Sequence, residues 1–164
     1  MKAITIRQPW ASLIATGLKG FETRSWSTKH RGKLAIHAGV SKDSYGTTPA
    51  HQVILSVAGS SPEWQEYILR CADTPSHEIP FGAIVAICDV AECYRIGVDA
   101  VGIYIERKDA STGCWEKFDY IENRKELMFG EWLPGWYAWE LVNVRILETP
   151  IPAKGKQGFW EWDG

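Results

Sequence analysis

The stretch GAIVAICDVAECY, residues 82–94, decides the fold class. It is nearly continuous in apolar and β-branched residues, too short for a membrane span, and predicts a strand buried on both faces. Asp89 interrupts it. A carboxylate in such a strand needs a partner, and a Lys or Arg from another strand is the expected one. Outward from this strand, Ile4-Thr5-Ile6 predicts a short strand, and Pro9-Trp10 opens a helix with Leu13 and Ile14 as apolar contacts. Gly17 stands where a helix commonly ends. Phe21 to Trp26 alternates as a strand, with Glu22, Arg24 and Trp26 on one side. His30-Arg31-Gly32 is a turn, and Lys33 to Ala38 alternates again.

Downstream the signals thin. Prolines and glycines punctuate residues 41–78, where two helices, about 48–58 and 62–72, predict a helical insertion. Residues 95–130 are mixed and polar and read as long loops with a weak strand or helix. GWYAWELVNVRIL, residues 135–147, predicts a bent strand. Residues 152–158 form a glycine-rich basic loop, and Phe159 to Trp162 a closing strand. The sum is an α+β chain: a small β-barrel with an early helix and an inserted helical segment, in one domain over 1–164.

The chain has 164 residues with 45% apolar and 23% charged composition, which excludes global disorder, collagen and coiled coil. The N-terminal MKAITIRQPW has no apolar h-region, so no signal peptide is expected. The four cysteines include no C-x-x-C pair and read as reduced thiols in a cytoplasmic protein, with Cys88 packed in the core. Net charge is −2, but residues 1–40 hold seven Lys/Arg against Glu22 alone. A basic face can therefore hide within an acidic average. Nine tryptophans are spread along the chain. Core packing claims most of them, and a base-stacking role is open to a minority.

Four clusters carry chemistry. Lys19 lies three residues before Glu22, as a cleft pair for a polar ligand or as a plain surface salt bridge. Lys29-His30-Arg31 is either a phosphate-contacting turn or a solvated tip. Asp89 is either a site carboxylate or half of a structural pair. Lys154 and Lys156 lie in a loop without P-loop spacing that can still touch a phosphate backbone. No histidine pair has i, i+4 spacing, and neither a metal nor another cofactor is expected.

Residues 6–39, IRQPWASLIATGLKGFETRSWSTKHRGKLAIHAG, resemble the opening of the ASCH family, the domain named after the activating signal cointegrator. The pattern G-x-K-x-x-E-x-R is met by Gly17, Lys19, Glu22 and Arg24. The R-S-W and H-R-G that follow match Arg24 to Trp26 and His30 to Gly32. PFGAIVAICDVAEC (80–93) resembles the family's central strand, and GKQGFW its closing segment. The resemblance implies a PUA-like barrel with a cleft floored by this motif. It implies nucleic-acid recognition, often of RNA, with no membrane or metal partner. Read as a binding module, the chain would contact nucleic acid through Lys19, Glu22, Arg24, Trp26, His30, Arg31, Lys154 and Lys156. Some small bacterial relatives are amidohydrolases of acetylated cytidine that use a Lys, a Thr three residues later and a Glu on the central strand. Lys19 fits the first, Glu22 occupies the second, and Asp89 aligns with the third, while Thr23 should face the other way. The alternatives to a binding module are thus a hydrolase of a modified nucleoside or RNA, with Lys19, Glu22 and Asp89 as its catalytic set, and a protein-interaction module. Two carboxylates near one lysine stabilise its ammonium, which favours Lys19 as a ligand anchor over a base.

Overall fold

The computed structural model describes residues 1–41, 56, 59–66 and 79–164. The expected first inserted helix and most of the second fall outside the described residues. Within the second, residues 62–66 are helical, and the Ser61 hydroxyl accepts the Trp64 amide at 3.2 Å, a cap at the helix start.

Among the described residues eight strands carry the fold: β1 (Lys2–Ile6), β2 (Phe21–Arg24), β3 (Gly32–Ala38), β4 (Ala83–Val98), β5 (Ile103–Lys108), β6 (Trp115–Tyr120), β7 (Tyr137–Pro152) and β8 (Phe159–Glu161). Short helices accompany them, among the described residues α1 (Trp10–Ala15) and α2 (Arg124–Met128) besides the helical residues 62–66. The hydrogen-bonded order is β2-β7-β4-β3-β1-β8, with β5 on β4 and β6 on β5. Among the described residues the arrangement is mostly β with few short helices, an α+β fold, and this strand pairing does not show the closure of the expected barrel. The chain divides into two compact units, and β4 and β7 run through both.

The first unit comprises residues 1–19, 33–89 and 143–164. Parallel β1 and β3 pair Ala3 with Ala35 and Thr5 with His37, and β8 runs antiparallel on β1 with Trp160 opposite Ala3. Ala3, Ala35, Ile84, Trp160 and Trp162 form one buried cluster. Small alanines on facing strands leave room for the two indoles, which bury large areas. Helix α1 is closed from both ends by its flanking sequence. The buried Gln8 accepts the Ser12 amide through Oε1 at 3.1 Å and donates through Nε2 to the Pro80 carbonyl at 2.6 Å. At the other end Gly17 has φ +76, its amide bonds the Ile14 carbonyl, and the Leu18 amide bonds the Leu13 carbonyl. These two bonds make a Schellman turn, and only glycine enters it without strain.

The second unit comprises residues 20–32 and 90–142. Its core gathers Tyr94, Ile96, Ile105, Trp132 and Ala138, with Phe21, Ile103, Leu127 and Trp136 packed against them. The polar segment 95–130, expected as long loops with a weak strand or helix, holds a β-hairpin and the helix α2. β5 pairs β4 with Ile105 opposite Ile96, and β6 pairs β5 with Tyr104 opposite Tyr120. Between the Ile105–Asp119 and Glu106–Lys117 pairs, Phe118 is an extra residue, a bulge. Asn123 caps α2, its side chain accepting the Lys125 and Glu126 amides.

Candidate nucleic-acid interface

Strand β2 owes its place to a residue far away in sequence. The carboxylate of Glu126, 4% exposed, accepts the Gly20 amide at 2.8 Å and the Phe21 amide at 3.1 Å. The Gly20 carbonyl in turn accepts the Leu141 amide at 2.8 Å. An ionised acceptor on two backbone donors makes strong bonds, and burial raises the cost of losing them. Phe21 then packs edge-on against Tyr94 and Trp132. The sequence gives no local sign of this clamp, since Glu126 lies on a helix of five residues.

From that anchored start, β2 pairs with β7 in the register Glu22 opposite Trp139, Thr23 opposite Ala138 and Arg24 opposite Tyr137. Glu22 and Arg24 share one face, as the period of two predicts. Arg24 Nε lies 2.9 Å from Glu22 Oε1, with the Glu22 side chain 9% exposed and that of Arg24 28%. Of the two nearby cations, Lys19 and Arg24, Arg24 is thus seen paired with Glu22. The strand ends at Arg24, short of the expected Trp26. Trp26 bends over the fully buried Trp139, ring centroids 4.6 Å apart at 76°, and remains 36% exposed. Next on this face, the Tyr137 ring lies 6.1 Å from Trp115, and the Arg95 guanidinium sits 5.2 Å over Trp115 while its Nε bonds Glu106 at 2.5 Å. Trp115, Tyr137 and Arg95 were not among the expected site residues. For Trp115 and Arg95 the signal was the mixture of aromatics and cations in residues 94–120, and for Tyr137 its place in the 135–147 strand; both register only once the strands are paired.

Thr23 faces away from Glu22, and its hydroxyl accepts the Glu131 amide at 3.1 Å. It therefore does not stand in for the threonine that the amidohydrolase pattern requires. Arg31 is exposed, pairs with Glu92, and donates to the Thr28 and His30 carbonyls. His30 is half-buried, and its amide bonds the Thr28 hydroxyl at 3.0 Å. The segment from Thr28 to Arg31 is an irregular connection held by these bonds and by the Thr28 amide on Cys93 Sγ at 3.4 Å.

The remaining expected site residues belong to the first unit. Lys19 is 1% exposed, and its amide is tied to the Leu13 carbonyl at 3.1 Å, directly behind the Schellman turn. Asp89 is half-buried and accepts the Asn143 amide nitrogen at 3.0 Å. The expected Lys or Arg partner is thus corrected to a neutral amide. Asn143 sits inside β7 with φ +51, a left-handed conformation that asparagine tolerates better than most residues. Lys154 and Lys156 are exposed on the tail loop. Cys88 is buried, and burial with the neighbouring Asp89 charge pushes its thiol up to about 12. It packs in the core as a protonated thiol. Cys88, Cys93 and Cys114 are free thiols, while Cys71 lies outside the described residues. No described helix is long and apolar enough to cross a membrane, and no group of three or more His, Cys, Asp and Glu is gathered among the described residues.

Over 91 residues the chain is 32% identical to Activating signal cointegrator 1 of Homo sapiens, and to the same degree to that of Mus musculus. The match covers 55% of this chain and 14% of each relative, so the chain corresponds to about a seventh of their length. The model of the ASCH domain matches residues 4–151, and with the motif segment and its supporting strands inside that range the chain belongs to the ASCH domain family.

Proposed function

We propose that this protein binds single-stranded nucleic acid, RNA in the first place, through the β2 face of its second unit. One observation carries the proposal. Trp26 is exposed, yet braced edge-on by a fully buried Trp139, beside an Arg24 that Glu22 holds in place. A braced indole offers a stacking surface with little side-chain entropy to lose, and an oriented guanidinium suits a phosphate or a base edge. Tyr137, Trp115 and Arg95 extend the aromatic and cationic character of the same unit. The family's association with RNA points the same way.

Arg31, His30, Lys154 and Lys156 enter the proposal as sources of phosphate contacts, and Lys19 as an anchor for a polar ligand. Arg31 is the most constrained of these, because Glu92 competes with a phosphate for its guanidinium.

The test is fluorescence anisotropy with labelled single-stranded RNA and its DNA counterpart across a salt series. Binding is expected to weaken linearly in log–log form as salt rises. Trp26→Ala should reduce affinity about tenfold, the equivalent of one stacked base at roughly 1–3 kcal/mol, with the salt slope unchanged. Arg24→Ala should lower the slope by about 0.7. Affinity that ignores salt, or a Trp26→Ala protein that binds as well as the parent, refutes the assignment of this face.

A further inference from the structure

His37 lies in β3 beside Thr5 of β1 and is 1% exposed, among the most buried polar side chains of the first unit. Neither the fold nor the proposed interface uses it. Its Nε2 is 3.0 Å from the Ala153 carbonyl, at the start of the basic tail loop. That carbonyl can only accept, so Nε2 carries a proton, and burial of the ring favours its neutral form. The Trp160 ring meets it edge-on at 5.6 Å, and Trp160 Nε1 donates to the Thr5 hydroxyl at 3.3 Å. The loop itself is pressed onto the ring at Gly155. A Cβ there would lie 2.6 Å from His37 Nδ1 and 2.7 Å from Thr5 Oγ1, and closer still to His37 Cε1. Glycine at 155 is therefore what allows the backbone to rest on the imidazole.

The two lysines flank this glycine directly, at 154 and 156, and line an open cleft of about 350 Å³ together with Trp160 and Trp162. We propose that His37 is the positioning residue of this loop: its neutral ring seats residues 153–155 and thereby sets Lys154 and Lys156 for phosphate contact. The seating stands on the geometry of the first unit alone, whereas the phosphate role rests on the nucleic-acid function proposed above.

Protonation opposes the seating, because a charged imidazole would have to sit in a dry site. The charged side chains on the packed elements are Lys2 on β1, Lys33 on β3, Asp89, Glu92 and Arg95 on β4, Glu161 on β8 and the two loop lysines. None of them figures among the influences on the ring, which are burial, lowering its pKa, and the smaller opposing bond to Ala153. The folded-state pKa thus falls below the ordinary 6.5. The contribution of the neutral ring is complete above that value and is lost as pH falls through it.

The experiment follows the His37 Cε1 proton and the amides of Lys154, Gly155 and Lys156 by NMR of the full chain from pH 8 to 5. The amides are expected to move with the midpoint of the ring. In His37→Gln, which keeps a side-chain N–H for Ala153 and has no proton to gain, they should stay still. Amides that ignore the ring, or that shift equally in His37→Gln, overturn the seating. Gly155→Ala is the second variant and should displace the Lys154 and Lys156 amides already at pH 8; an unchanged spectrum also overturns it. A binding series with labelled single-stranded RNA tests the phosphate role separately. Relative to His37→Gln, the salt slope of the parent should fall by up to about 1.4 as pH falls through the midpoint of the ring, at ~0.7 for each phosphate released. Equal slopes with moving amides leave the seating in place and overturn the phosphate role of the loop.

Discussion

The motif segment 17–24 is held by two different means. The amides of Gly17 to Lys19, in the first unit, are fixed within residues 13–19, all three on the Ile14 and Leu13 carbonyls. Gly20 and Phe21, in the second unit, are fixed by a carboxylate more than a hundred residues later in the chain. The first arrangement is written in neighbouring residues and survives as long as Gly17 can reach a positive φ. The second exists only once α2 has formed and the segment from Gly20 onward has met it. A helix terminus is thus local information, while the entry of an edge strand is tertiary information.

Breaking the remote clamp should have the largest effect. Glu126→Ala leaves the Gly20 and Phe21 amides without their acceptor in a buried setting. At 1–3 kcal/mol for each unsatisfied donor, the loss should be about 3 kcal/mol, read as a fall in the midpoint of urea unfolding at constant m-value. Glu126→Gln keeps one neutral acceptor and should recover about half. A Glu126→Ala protein as stable as the parent would show that water replaces the carboxylate and that β2 needs no clamp.

The local arrangement should be cheaper to damage. Gly17 has φ +76 and open space where a Cβ would go, so Gly17→Ala meets no neighbour and costs only backbone strain. About 1 kcal/mol is expected, and less for Gly17→Asn, which tolerates the left-handed region. Urea unfolding of both variants separates the cases. Equal losses for Ala and Asn would mean that strain at this residue is not what closes α1.

The same division explains what the sequence reveals about the molecule. Strands β1 and β3, helix α1 with its glycine stop, and β8 follow from alternation and punctuation within short windows. The β5–β6 hairpin does not. Ile103 and Ile105 alternate correctly, but the Phe118 bulge breaks the period of two in β6. On the outer side, Lys117 lies over the Tyr104 and Tyr120 rings, and Arg107 lies over Phe118. Aromatics covered by cations make a polar-looking sequence out of a well-packed hairpin. In the site, the Glu22–Arg24 pair follows from strand spacing alone. Trp139 beneath Trp26, the Asn143 partner of Asp89 and the Glu126 clamp depend on register and on a left-handed residue that no window of sequence displays.

The smallest expected effect sharpens the comparison at the exposed end of the second unit. Arg31 and Glu92 form a pair whose side chains are 40% and 31% exposed, so its contribution to stability should be below about 0.5 kcal/mol. Its effect on binding is of a different kind. Glu92 occupies the guanidinium that a phosphate would use, and its carboxylate also accepts the Cys93 amide at 2.8 Å. Glu92→Gln keeps an acceptor for that amide and removes the charge that holds Arg31. RNA affinity should then rise about two- to threefold and the salt slope steepen by about 0.7, as expected when one more phosphate is neutralised. Arg31→Ala in the same background should abolish the increase, while Arg31→Ala in the parent should change affinity little. If Glu92→Gln leaves both affinity and slope untouched, the pair is ornamental to binding, and the phosphate contacts of this unit rest on Arg24 and the other cations of the β2 face.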